Sequence, residues 1–234
     1  EFMKGNQNHN WKTGNGRPLD ETFAADTVMG RIHRLPGVRG VIESLVGPNP
    51  RYDHHFPHRI AANTHVGANL HQDSEIDTRT NAFDIQISLF AEDTPPEMGG
   101  TLFVPGSHFR QVHESQISRY QNIVGQVQAV CKAGTMFFWH HNVWHSARSN
   151  HTGRDRYMFK VRLNPTVPQV RLWDTSDLQD PEVIKILTQT LAWHGQEQRI
   201  EEIQRLKFWR YLTGDPTFDH GLALGRIENA PQPA

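Results

Sequence analysis

The stretch 82-AFDIQISLF-90 decides the fold. Phe83, Ile85, Ile87 and Leu89 alternate with Asp84, Gln86 and Ser88. A period of two marks a strand with two unlike faces, whereas a helix would repeat every three or four residues. The same period recurs on either side. Residues 59-RIAANTHV-66 read as a strand, and 99-GGTLFVPGSH-108 as a strand stopped by a Pro-Gly turn. Residues 123-IVGQVQAVCKAG-134 and 135-TMFFWHHNVWH-145 read as strand–turn–strand with the corner at Gly134, and 156-RYMFKVRLN-164 closes the series. Short strands separated by turns, with no helices between them, indicate an antiparallel sandwich or jelly roll.

The flanks follow another rhythm. Apolar residues fall at helical spacing in 21-ETFAADTVMGRIHRL-35 and 37-GVRGVIESLVG-47, and 48-PNPRYDHHFPH-58 interrupts them with prolines. Beyond Pro168, residues 180–195 and 198–212 read as amphipathic helices, with Asp180 as an N-cap. The expected class is mainly β with flanking α-helices. Residues 1–20 form a flexible lead-in, in which Glu1-Phe2 ahead of Met3 reads as a cloning scar. Residues 21–175 form the jelly-roll domain with short N-terminal helices. Residues 176–214 form C-terminal helices packing on the sheet, and 215–234 an irregular tail.

Bulk properties exclude several classes. The formal net charge of 234 residues is -1, which gives no electrostatic case for nucleic acid or an anionic membrane. No apolar run approaches the roughly 18 residues of a membrane span. No apolar segment of a secretory signal is visible at the N-terminus. Cys131 is the only cysteine, so a disulfide within the chain is impossible and a reducing, cytoplasmic location is expected. Cys131 itself reads as a buried thiol in an apolar strand. Nothing in the composition speaks to oligomeric state. Apolar content is lean at 36%, but 12 Phe and 6 Trp supply bulky core material.

Chemistry enters with 69-NLHQDSEID-77. On a strand, His71 and Asp73 point to the same face about 6.6 Å apart, close enough to converge on one ion. Among 15 His, an H-x-D pair is weak evidence by itself. A third ligand is needed, and His145 is the best-placed candidate, with His140 and His141 as competitors. Two imidazoles and one carboxylate on one face of an octahedron leave three positions open, the arrangement of non-haem Fe(II) oxygenases. A structural zinc site would need four ligands, usually thiolates, which one cysteine cannot supply. Arg156, eleven residues past His145, could hold a carboxylate in a bidentate fork, with Arg154 as its rival.

Taken in order, "HQD", "GGTLFVPGSH", "AGTMFFWHHNVWHSARSN" and "RDRYMFKVRLNP" resemble the phytanoyl-CoA dioxygenase family of Fe(II)/2-oxoglutarate oxygenases. The likeness spans about residues 59–165. It implies a double-stranded β-helix, a cupin-like jelly roll. It implies Fe(II) held by His71, Asp73 and His145, and Arg156 gripping the distal carboxylate of 2-oxoglutarate. O2 would be the co-reactant, and the second substrate a small molecule hydroxylated at a C–H bond as succinate and CO2 are released. Asp73 argues against the family's halogenases, which carry a small residue there. Family members often have Ser or Thr where this chain has Ala147, and Thr101 is the residue that could supply that hydroxyl. The segment ahead of the H-x-D pair is shorter than is usual in the family. No basic cluster suited to CoA phosphates stands out. The alternative is a jelly-roll protein that binds a metal or ligand without turnover.

The remaining signals are weaker. Gln86 and Ser88 line either the pocket or a solvent-facing row. Phe138, Trp139 and Trp144 read as core first and pocket second. His54, His55 and His58 beside Pro57 read as a rim cluster. On residues 156–164, Tyr157, Phe159, Val161 and Leu163 share one face, opposite Arg156, Met158 and Lys160. If Arg156 points inward, the aromatic face points outward and the C-terminal helices are expected to cover it.

Overall fold

A computed structural model describes residues 15–73, 82–110, 112, 114–119, 122–189 and 196–219. Three helices lead: α1 (Leu19–Thr22), α2 (Val28–His33) and α3 (Pro36–Val46). The strands are β1 (Arg51–Ile60), β2 (Ile85–Leu89), β3 (Thr101–Val104), β4 (Val127–Gln128), β5 (Met136–His140), β6 (Trp144–Ala147) and β7 (Arg156–Asn164). A short α4 (Glu114–Ile117) lies between β3 and β4, and α5 (Pro181–Thr188) and α6 (Gln196–Thr213) follow the last strand. Asp180 caps α5, its side chain accepting from the Glu182 amide at 2.8 Å.

The strands form two antiparallel sheets, ordered β1-β7-β2-β5 and β4-β3-β6. Isolated bridges Thr64–Asn150 and His71–His145 carry residues 64–71 alongside β6. This is the expected mainly β, jelly-roll architecture. The cavity face of the larger sheet carries Arg156, Met158 and Lys160. The outer face carries Ile85, Ile87, Phe159, Val161 and Leu163, all buried.

Two sets of helices cover that outer face. Phe23, Met29, Ile42 and Val46 from the N-terminal segment pack there, as do Phe208 and Leu212 of α6. The expected C-terminal cover is present through α6, and the N-terminal helices share it. Phe23 meets Phe159 edge-on at 6.5 Å between ring centres. Leu187 of α5 belongs instead to a satellite cluster with Leu178, Leu206 and Phe218.

The strand boundaries differ from expectation at β1. Residues 51–60 form a strand where 48–58 reads as a break, and the expected strand at 59–66 reduces to Arg59, Ile60 and one bridge at Thr64. Pro57 is tolerated because β1 is the edge strand of its sheet, where Pro57 pairs only with Phe159 of β7. The segment 123–134 contributes only the two-residue β4 and a Thr94–Cys131 bridge, and Cys131 is half-buried rather than buried. Residues 1–14, 74–81, 111, 113, 120–121, 190–195 and 220–234 lie outside the described residues, and with them most of the lead-in expected over 1–20 and of the tail expected over 215–234. The described end of that lead-in is ordered, with Leu19 of α1 buried in the core.

His33 on α2 is fully buried against Phe23, ring centres 5.1 Å apart, and neither ring nitrogen has a partner. Burial lowers its pKa from 6.5 to about 4, with the Arg39 charge adding to the effect. The unfolded chain thus binds more protons than the fold between those values. Stability is full above about pH 6.5 and falls as pH drops toward about 4. Burial depresses His58, His108 and His145 in the same direction. His33→Phe is expected to make this acid limb shallower without removing it, as measured by denaturant unfolding across that range.

Candidate metal centre

His71 and His145 face each other across an antiparallel bridge, each amide bonded to the other's carbonyl at 3.0 and 2.8 Å. Their rings lie 4.3 Å apart between centres. Each Nδ1 sits 2.9 Å from a carbonyl two residues back, Asn69 for His71 and Val143 for His145. A protonated Nδ1 donating to that carbonyl leaves Nε2 as a bare acceptor aimed at the shared space. Asp73, two residues past His71, places Oδ1 at 3.7 Å from both Nε2 atoms.

These three ligand atoms all lie within 4.8 Å of one another. Ligands bound about 2.1 Å from one ion sit about 3 Å apart when adjacent and about 4.2 Å apart when opposite. The two Asp73–imidazole separations, 3.7 Å each, fall between those limits. The donor set therefore fits a divalent first-row ion with open positions. His140 and His141 do not join it. His140 stacks on Phe83 at 5.0 Å, and His141 Nδ1 sits 3.2 Å from the Asp84 carbonyl.

The electrostatics suit a metal ligand set. Burial lowers the His145 pKa to about 4, so the ring is neutral and its lone pair free. Burial alone would raise the Asp73 carboxyl. The charge that His145 takes up once it is protonated in acid and the Lys160 ammonium, with hydrogen bonds from Lys160 and Gln86, outweigh it and hold the carboxyl well below the usual range. Gln86 Nε2 donates to Asp73 Oδ2 at 2.5 Å and Lys160 Nζ donates to the same oxygen at 2.8 Å. Trp139 packs edge-on against His145 at 4.5 Å and donates from Nε1 to Ser88 Oγ at 3.1 Å.

A cavity of about 440 Å³ opens beside the three candidate ligands. Arg156 lines it at 4% exposure, Nη1 donating to the Met98 carbonyl at 2.9 Å. No carboxylate pairs with this guanidinium among the described residues, and burial lowers its pKa to about 10, which leaves it charged. Its anchor needs the loop at Gly99, where a Cβ would fall 2.1 Å from the Ser149 carbonyl oxygen. Arg154, the rival, pairs with Glu92 at the exposed surface. Thr101 and Ala147 stand directly opposite each other on β3 and β6, and both line the cavity.

Sequence reasoning puts His54 and His58 in a rim cluster and assigns no role to Phe56 and no partner to Lys160. His54, Phe56 and His58 line the cavity from β1, while His55 turns to the outer face and meets Tyr52 Oη at 2.6 Å. Their alternation on β1 escapes sequence reading, because Pro57 and the histidines make residues 48–58 look like a break. Lys160 was placed on the Arg156 face with no partner assigned, because that partner lies 87 residues away.

Comparison with known proteins bears on the fold and the kinship separately. The non-haem monooxygenase ThoJ in its apo form matches with a TM-score of 0.51 at 16% identity, over 72% of this chain and 68% of that one. EctD from S. alaskensis with 2-oxoglutarate and 5-hydroxyectoine matches at 0.48 and 19%, over 61% and 54%. The epimerase SnoN in complex with Fe3+, alpha ketoglutarate and nogalamycin RO matches at 0.47 and 21%, over 58% of each chain. The chain covers 33% of EvdMO1 and 62% of nickel-bound ThoJ, less than two thirds of either. No curated protein matches. The ThoJ likeness, at that identity, supports the jelly-roll fold. The family model for phytanoyl-CoA dioxygenase (PhyH) matches residues 6–158, more than half of the chain, and that span takes in His71, Asp73, His145 and Arg156. The chain belongs to the phytanoyl-CoA dioxygenase family.

Proposed function

We propose that this protein is an Fe(II)- and 2-oxoglutarate-dependent dioxygenase that hydroxylates a C–H bond of a small organic molecule. His71, Asp73 and His145 hold the metal. Arg156 grips the distal carboxylate of 2-oxoglutarate, and Thr101, opposite Ala147, supplies the hydroxyl beside it. One observation carries the reading: the three ligand atoms and a buried guanidinium with no carboxylate partner among the described residues line the same cavity. A ferrous ion bound there would supply O2 activation. One oxygen atom would enter succinate, with CO2 released from 2-oxoglutarate, and the other would become the new hydroxyl.

The chain's own residues do the rest. The Nδ1 contacts to Asn69 and Val143 fix both imidazoles in the ligating tautomer. Arg156 orients the cosubstrate by a two-point fork. Phe56, Ile60, Trp139 and Met158 give the cavity apolar walls that limit water near the reacting bond. These walls favour a small substrate with an apolar reacting face. A lone half-buried thiol and a ferrous requirement both suit a reducing, cytoplasmic setting. No helix among the described residues is long and apolar enough to cross a membrane.

The test is anaerobic addition of Fe(II) and 2-oxoglutarate to the metal-free protein, followed by visible absorption. A weak metal-to-cosubstrate charge-transfer band is expected, and succinate on admitting air with a suitable substrate. Folded protein that gives neither band nor succinate across a broad compound panel sinks the proposal. A band without turnover would instead favour a binding protein.

A further inference from the structure

Lys160 lies on β7 just past the span matched by the family model, and it is 8% exposed. Its ammonium is 2.8 Å from Asp73 Oδ2, while Oδ1 of the same carboxylate faces both ligand imidazoles. Gln86 Nε2 holds Oδ2 from the other side. With two donors on Oδ2, only Oδ1 remains for an ion, so Asp73 is committed to single-oxygen ligation.

We propose that Lys160 makes metal binding by His71, Asp73 and His145 conditional on a dianionic 2-oxo acid. This rests on the reading of the site as a metal and 2-oxoglutarate centre. In the metal-free chain the Lys160 ammonium neutralises Asp73. A divalent ion at Oδ1 must then share one carboxylate with a cation fixed on the opposite oxygen. In a cavity of low dielectric that like-charge opposition is strong. Asp73 is the only carboxylate among the residues lining the cavity, and Lys160 and Arg156 are its fixed cations. A divalent ion alone would leave three positive charges uncompensated, and a dianion removes two of them. The ion and the dianion therefore bind cooperatively, each raising the affinity of the other by the same factor. The loaded centre forms mainly when cosubstrate is present.

The experiment titrates Co(II), which resists air oxidation, into metal-free protein by calorimetry, with and without 2-oxoglutarate. Co(II) should bind the parent weakly alone and much more tightly with 2-oxoglutarate. Lys160→Gln keeps a donor for Oδ2 but removes the charge. It should bind Co(II) alone about tenfold more tightly than the parent, with the cooperativity factor shrinking by a similar amount. Lys160→Arg keeps the charge and should behave as the parent. Gln86→Leu removes a donor to the same oxygen without touching charge, and should not tighten Co(II). A loss of packing cannot produce a gain in affinity, so a merely structural role would not give this pattern. Folded Lys160→Gln that binds Co(II) alone no tighter than the parent overturns the inference and leaves the metal centre standing. Equal tightening in Gln86→Leu also overturns it. A parent chain that takes up no Co(II) under either condition overturns the metal centre, and this inference with it.

Discussion

Asp73→Ala is expected to lower divalent-metal affinity at least a hundredfold, to remove succinate formation and to destabilise the fold. The first two effects follow from ligand count. Without Oδ1 the site retains two neutral imidazoles, which bring no charge to a divalent ion. Loss of a partner that only orients a ligand already costs about 10–100-fold, and loss of a ligand costs more. The third effect comes from Lys160. Its ammonium, 8% exposed, would lose the carboxylate that accepts from it at 2.8 Å. An uncompensated buried charge of this kind costs about 3–5 kcal/mol. The double variant Asp73→Ala/Lys160→Met should therefore recover much of the lost stability and none of the metal affinity. Denaturant unfolding of the two variants beside a Co(II) titration separates the consequences. If Asp73→Ala alone unfolds at the parent's midpoint, the ion pair has been given too much weight. If it binds metal as the parent does, the ligand assignment is wrong.

This coupling of a ligand to a distant cation marks where sequence reading succeeds and where it stops. Strands β2 and β7 were legible because they are interior strands of the larger sheet. One face is buried under helices and the other turns to the cavity, so a strict alternation of residue character is enforced along both. Strand β1 was not, since its cavity face carries His54, Phe56 and His58 and its edge position tolerates Pro57. Neither feature registers as hydrophobic alternation. The H-x-D spacing brought His71 and Asp73 to one face unaided. The choice of His145 over His140 and His141 depends on register. Pairing of His71 with His145 turns that ring inward, while His140 falls on the outer face beside Phe83. Register is a property of the assembled sheets, and spacing along the chain does not encode it. The N-terminal helices announced themselves by periodicity, but their share in covering Phe159 and Val161 depends on the path of β1, which was misjudged.

Arg156→Met is expected to raise the dissociation constant for 2-oxoglutarate about a hundredfold while leaving affinity for the metal alone within a few-fold of the parent. A desolvated two-point contact between guanidinium and carboxylate is worth about 2–5 kcal/mol when one partner is removed, and about 2.7 kcal/mol corresponds to a hundredfold. The side chain is buried, and its pull on the cosubstrate is therefore little screened by solvent. Its orientation is imposed by the Met98 carbonyl at 2.9 Å, on a loop that Gly99 allows to pass close under residues 148–149. That anchoring is why Arg156→Lys should recover little. An ammonium on a flexible stem can keep the charge, but it cannot satisfy the carbonyl and present a planar fork together. The effect on metal affinity is only few-fold because Arg156, unlike Lys160, makes no hydrogen bond or ion pair with His71, Asp73 or His145 among the described contacts, and its charge opposes the ion from farther off. Calorimetric titration of 2-oxoglutarate into the Co(II)-loaded variants reads the first effect, and Co(II) titration alone reads the second. An Arg156→Met chain that binds 2-oxoglutarate as the parent does would move the cosubstrate elsewhere in the cavity, with Lys160 as the remaining fixed cation on its walls.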